Sequence, residues 1–405
     1  MLLNVAALLL IALVYPVGLY LNDFSLGLLF LSPLASLILI VISIKSNIKI
    51  SSPFFMLFLA WTFSGLLSAF YLVFDINSFQ PKLYLTALSL LGINFGYIFH
   101  LLLRNNLVHP KIIEAGLIAC AFIFIIKAIL GASLSDYLLI LNQRFGATAN
   151  INPNHAAAIF DLALPFCAMN LLISFSRQWW RRLVWGCLYL CLMICTLLTS
   201  TRGSLPAIIM TSVYLFTSPV FSTRAKIGIS ILTTPVFFIF GRLLLFRIQM
   251  HSVEDIASSV GRVWMLKSAY LILKKNFFFF GTGVDSFSKI KFHFGFPKWF
   301  DSGAFLSSHN LHLEIFLGLG LIALLGRVAF NAILIVNLYK SRKMAMECMP
   351  ALIALLGFLI HCLFDSLFVL ICFMIVVWVF LGYCAFLIDS SSRQSVSFSS
   401  GEKND

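Results

Sequence analysis

Long apolar stretches separated by short polar connections run along this chain from end to end. A helix needs about 20 apolar residues to cross the hydrocarbon of a bilayer, and runs of that length recur here. Their boundaries predict about twelve spans: 2–20, 25–44, 53–74, 83–103, 112–132, 155–175, 183–200, 204–220, 227–246, 311–338, 348–364 and 366–388. In hydrocarbon every backbone N–H and C=O must find its partner inside the protein, which leaves helices or closed barrels. A barrel would show short alternating segments. The uninterrupted runs instead predict an all-α polytopic membrane protein. The first run, Leu2 to Tyr20, has no basic residue before it and no small-x-small cleavage site, so it reads as a span rather than a removed leader.

One segment breaks the pattern. Residues 247–308 form the only large hydrophilic insertion. Within it Ile256, Val260, Val263, Trp264, Leu266, Ala269 and Tyr270 recur as in an amphipathic helix lying in the membrane interface. Phe277 to Phe280, followed by Gly281-Thr282-Gly283, reads as a membrane-dipping elbow and a turn. The organisation is a single integral membrane domain over 1–389, with this loop on one side, and a polar tail over 390–405. From Gln394 to Asp405 the composition predicts no regular structure.

Composition supports the class and places the loops. Of 405 residues, 61% are hydrophobic and 11% charged, against about 25% charged in a soluble domain. The net charge of +13 does not point to nucleic acid, because it is dispersed over the connections without a polybasic block. One set of connections holds Lys45 and Lys49; Arg104 and Lys111; Arg177, Arg181 and Arg182; Arg224 and Lys226; Lys340, Arg342 and Lys343. The opposite short loops hold Lys82, Arg144 and Arg202. Positive charge stays on the cytoplasmic side, so both termini are expected there, and Arg144, Arg202, the 247–308 loop and His309 on the outer face. The remaining positive charge suits membrane lipids that are anionic, or a charged substrate. The nine cysteines include no Cys-x-x-Cys pair and read as small buried hydrophobes.

The candidate chemistry collects on that outer face. Ser307-Ser308-His309-Asn310-Leu311-His312-Leu313-Glu314 runs straight into an apolar span. Ionisable groups where a loop enters the bilayer are costly and mark a functional hypothesis. His309 has the ordinary pKa of a proton acceptor near neutrality. A lone histidine there is more often a cap or a packing group, but Asn310, His312 and Glu314 accompany this one. Glu314, a turn further on, could orient a ring nitrogen or pair with a basic residue. The His309/His312 spacing could hold a metal, yet no HExxH motif or carboxylate cluster completes it, and none is expected.

Arg202, within Thr199-Ser200-Thr201-Arg202-Gly203-Ser204, breaks the charge pattern at the outer end of a span. Its guanidinium fork matches phosphate oxygens; the alternative is a snorkelling interfacial arginine. Arg262 and Lys267, beside Trp264, would offer cations above the membrane or bind lipid headgroups. Gln143-Arg144-Phe145-Gly146 and Asn150 to His155 have turn composition and could line a polar groove. Asp161, Lys127 and Asp365 read as buried pairs or packing, and His361 with Asp365 as a second external polar pair. With no GxSxG elbow, Walker A or dinucleotide fingerprint, an ATPase, dehydrogenase or serine hydrolase is unsupported.

Three stretches resemble the O-antigen ligase family and its wider superfamily of O-antigen polymerases and protein O-oligosaccharyltransferases. They are Leu198 to Ser204 with Ser-Thr-Arg-Gly, Gly261 to Gly283 with Arg-x-Trp and Gly-Thr-Gly, and Ser307 to Gly320 with Ser-His-Asn-x-x-Leu and Gly-Leu-Gly. Their order, the large loop and the span count also match, over most of residues 140–340. The resemblance implies a GT-C-like glycosyltransferase without cofactor or metal, at the periplasmic face of the bacterial inner membrane. Its donor would be an undecaprenyl-diphosphate-linked glycan and its acceptor the lipid A–core oligosaccharide. Arg202 and Arg262 would bind the diphosphate, and His309 would serve the acceptor hydroxyl. Asn310, Glu314 and Arg144 would complete the substrate site. One departure is His312, where family members often carry an aromatic.

Overall fold

The computed structural model describes residues 2–18, 79–130, 152–175, 178–199, 201–219, 252–274, 291–297, 310–343, 345–364 and 371–401, with isolated positions between them. All regular structure among them is helical. The helices are α1 (Leu2–Gly18), α2 (Phe79–Arg104), α3 (Pro110–Leu130), α4 (Pro153–Ser174), α5 (Trp179–Leu198), α6 (Leu205–Thr217), α7 (Ser252–Ile272), α8 (Leu311–Ser341), α9 (Cys348–His361) and α10 (Ile371–Gly401). Short 3₁₀ turns cover Arg202–Ser204 and Lys291–Phe294. Five segments, in α3, α4, α5, α8 and α10, are long and apolar enough to cross a membrane. The expected spans 25–44, 53–74 and 227–246 lie outside the described residues apart from isolated helical positions.

Helix α4 is the centre of the bundle. It starts where Asn-Pro dictates: Asn152 is the N-cap, its side-chain oxygen accepting from the Asn154 N–H at 2.9 Å, and Pro153 opens the helix. From His155 to Met169 every residue is buried. The run Ala156-Ala157-Ala158, with Ala163 and Ala168, lets neighbouring backbones come close where lipid supplies no hydrophobic drive. Helices α3, α5, α6 and α9 pack around it, while α10 lies along α2.

The bundle has two distinct ends. At one, Lys111 pairs with Glu114 and Glu347 at 3.2 and 3.0 Å, and the Tyr383 hydroxyl donates to Glu114 at 2.7 Å. Arg182 donates to the carbonyls of Ser174 and Phe175. Leu172 and Ile173 of α4, Tyr214 of α6, Met349 of α9 and Arg342 line one cavity there. Lys111, Arg182 and Arg342 thus share an end, as the charge pattern predicts. The opposite end gathers Asn154, Thr201, Ser204, Asn310 and His361.

Three departures from the sequence expectations have physical causes. The predicted interfacial helix is α7, but its apolar residues fall on two faces. Met265, Ala269 and Ile272 are buried with Leu317 of α8, whereas Val260, Val263, Leu266 and Tyr270 face outward. The span at 311–338 is not a continuous rod, because Gly320 adopts φ 80° and kinks it. Gly281, at φ +69°, sits on that kink. A Cβ there would lie 2.5 Å from the Gly318 carbonyl carbon and oxygen and 2.7 Å from the Gly320 nitrogen. Gly281 therefore meets the Gly318-Leu319-Gly320 motif, and glycine is required for that approach. Finally, part of the tail expected to lack structure is helical, since α10 continues to Gly401.

Candidate active site

The site is built outward from the Arg202 turn. Beyond α5 the chain turns through Arg202–Ser204 into α6, where a proline in the first turn presets the helical φ. Two side chains of α4 hold this turn at its ends. The Thr201 hydroxyl donates to the Asn154 side-chain oxygen at 3.3 Å, and the Ser204 hydroxyl donates to Asp161 Oδ2 at 3.0 Å. Asn154 and Asp161 are seven residues apart, two turns along one helix face.

A third element closes over the turn. His361, the last residue of α9, donates from Nδ1 to Asp161 Oδ2 at 2.7 Å, and Ser204 Oγ lies 3.3 Å from the same nitrogen. The side chains of Asp161 and His361 have no solvent exposure, and Ser204 is buried too. Donation to the carboxylate fixes the ring with Nε2 as the remaining position. Neither Nε2 nor Asp161 Oδ1 has a hydrogen-bond partner among the described residues. Gly203 lies flat against the imidazole, where a Cβ would come within 2.6 Å of His361 Cδ2 and 3.0 Å of its Cα.

The residues after His361 carry the start of α8. Leu311 N–H donates to the Cys362 carbonyl at 2.9 Å, and Asn310 Nδ2 donates to the Leu363 carbonyl at 3.1 Å. Asn310 is also the N-cap, its side-chain oxygen accepting from the Leu313 N–H at 3.0 Å. Both ends of its amide are therefore engaged by the protein. Glu314 lies half-buried in the first turn, where a carboxylate complements the helix N-terminus. Arg262 is half-buried on α7, one turn before Met265, which packs with Leu313 and Leu317 in the first two turns of α8.

The structure thus brings together the backbone of the Arg202 turn, Asn310 and Glu314, with the Arg262 helix docked alongside. His309, Arg144 and Asp365 lie outside the described residues, as does the side chain of Arg202. Asp161, expected as a buried pair, is one, and His361 is its partner. The sequence sets His361 beside Asp365, four residues on, because spacing along one helix is visible and a contact across 200 residues is not. Arg327 escapes the sequence reading altogether. This arginine is fully buried in α8, stacks on Trp378 at 4.8 Å, and interacts electrostatically with His312. An arginine inside a long apolar span is the signal that could have found it. Among the described residues no three His, Cys, Asp or Glu side chains converge as a metal site would need.

A family model described as O-antigen ligase matches residues 186–328. No curated protein matches the chain. The matched stretch holds Arg202, Arg262, His309, Asn310 and Glu314, while Asp161 and His361 lie outside it. The five membrane-spanning candidates and this match describe a multi-pass membrane enzyme of glycan processing, broadly of the O-antigen ligase and polymerase type. The match supports assigning the chain to the O-antigen ligase family.

Proposed function

We propose that the protein transfers an O-antigen glycan from undecaprenyl diphosphate to lipid A–core oligosaccharide at the periplasmic face of the inner membrane. The observation that carries this reading is the tie between the Arg202 turn and the residue following His309, through Ser204, Asp161, His361 and Leu363. Two stretches far apart in sequence, each with a residue suited to half of the reaction, share one rigid junction.

The chemistry is a single displacement. An acceptor hydroxyl oxygen bonds to the anomeric carbon as the bond from that carbon to the diphosphate oxygen breaks, with inversion. His309 takes the hydroxyl proton as general base. Arg202 and Arg262 hold the diphosphate, and their charge stabilises the leaving group as it develops, often the largest catalytic term. Glu314 and Asn310 position the start of α8, and Arg144 lines the donor groove. The arginines supply the charge that a metal ion would otherwise supply, so EDTA leaves transfer intact. Inhibition by EDTA reversed by a divalent ion would overturn the metal-free mechanism.

The test is a lipopolysaccharide gel of a deletion strain complemented with wild type, Arg202→Ala or His309→Ala, at matched membrane levels. Bare lipid A–core, with accumulation of polyprenyl-linked polymer, restored by wild type alone, supports the ligase. Single-repeat caps in the deletion strain would identify a polymerase instead. An unchanged ladder would remove both and leave protein O-glycosylation or polysaccharide transport.

A further inference from the structure

We propose that Asp161, His361 and Ser204 form a buried clamp that positions Arg202 for the diphosphate and locks its turn to the N-terminus of α8. The proposal rests on the donor-binding role given to Arg202 above.

A hydrogen-bonded aspartate and histidine in the middle of an apolar bundle is expensive to bury, and apolar residues of similar size would often pack there at no loss. What this pair uniquely holds is the turn. Oδ2 of Asp161 accepts from both Ser204 and His361, and the imidazole is a flat wall for Gly203. Arg202 sits between two anchors on α4, Asn154 through Thr201 and Asp161 through Ser204. An arginine whose fork must meet a diphosphate needs a backbone that does not swing, since misplacement by an ångström is costly in a reaction that depends on orientation. His361 adds a second function. The carbonyls of the next two residues, Cys362 and Leu363, receive Leu311 and Asn310. The residue after His309 and the turn of Arg202 are thereby fixed to one point. The clamp residues touch no substrate in this scheme; they act through Arg202.

The test is equilibrium binding of undecaprenyl diphosphate to the full-length protein in nanodiscs. His361→Leu is expected to weaken binding about tenfold, comparable to the loss of one charge-assisted hydrogen bond. His361→Asn, whose amide nitrogen can take the place of Nδ1, should recover most of that loss. Because the clamp acts through Arg202, His361→Leu combined with Arg202→Ala should bind no more weakly than Arg202→Ala alone. A merely structural role would lower the bindable fraction and leave the affinity unchanged. Should His361→Leu fail to insert, Ser204→Ala is read in its place, with a loss of about threefold expected for one neutral hydrogen bond. If Arg202→Ala weakens binding while His361→Leu and Ser204→Ala do not, the clamp is refuted and the donor reading stands. Additive losses in the double variant would also refute it. If Arg202→Ala itself binds as wild type, the donor reading falls and the clamp's role falls with it.

Discussion

Substituting Gly281 by alanine tests how the loop motif is held on α8. The glycine has φ +69°, and its missing Cβ would lie 2.5 Å from the carbonyl carbon and oxygen of Gly318 and 2.7 Å from the nitrogen of Gly320. These neighbours are backbone atoms at the kink, so no side-chain rotation clears the clash. An L-residue in the left-handed region costs about 1–2 kcal/mol. Relieving an overpacked contact typically costs about 1–3 kcal/mol more. Gly281→Ala should therefore lose roughly 2–5 kcal/mol of docking between the loop and α8. Gly295 is the control. Its φ is +86°, but the nearest heavy atom to a Cβ is Leu271 Cδ1 at 3.6 Å. Gly295→Ala incurs the strain and not the clash, and it should lose only about 1–2 kcal/mol. The assays are thermal unfolding of the purified protein and kcat/KM for the lipid-linked donor. Since 1.4 kcal/mol is about tenfold, Gly281→Ala should lower kcat/KM at least about tenfold by disturbing α8, whose N-cap is Asn310 and whose first turn carries Glu314. If both variants unfold alike and both keep wild-type kcat/KM, the close approach of Gly281 to the α8 kink does not matter, and the reasoning fails.

Substitutions at two further positions separate the ends of the bundle. Asn310→Ala removes the cap on Leu313 and the bond to Leu363, and should cost about 1 kcal/mol for each; Asn310→Asp keeps the cap and should lose only the second. Equal losses in thermal stability for the two variants would contradict the dual role of the amide. At the opposite end, Tyr383→Phe leaves the buried Glu114 carboxylate one donor short and should cost about 1–3 kcal/mol of stability. Binding of undecaprenyl diphosphate should be unchanged, and a weakened affinity would show that the two ends are coupled.

Much of the architecture can be read from the chain. The spans at 112–132, 155–175 and 183–200 are legible because hydrocarbon imposes one rule on every residue it touches. Asn152-Pro153 marks the start of α4 because capping is a local event. The sharing of one end by Lys111, Arg182 and Arg342 follows from charge alone. The need for glycine at position 281 is local, through its φ of +69°, but its partner at Gly318 and Gly320 is not legible. The two-sided apolar surface of α7 defeats pattern reading. Helical periodicity identifies a buried face when there is one apolar stripe, and this helix has both its contact with α8 and an outward apolar stripe to satisfy.

What the sequence by itself determined was the solvent, the helical class, the split between a more basic and a less basic end, and the polar residue types gathered in the Arg202, Arg262 and Ser307–Glu314 stretches. These depend on composition and on spacings within one helix. Tertiary structure decided who meets whom. Asp161 and His361 are 200 residues apart and pair at 2.7 Å, and Arg327 meets Trp378 across two helices. No local periodicity encodes such pairs. They arise because polar groups withdrawn from water must find each other, and only the packing of α4, α8, α9 and α10 determines which ones are near enough to do so.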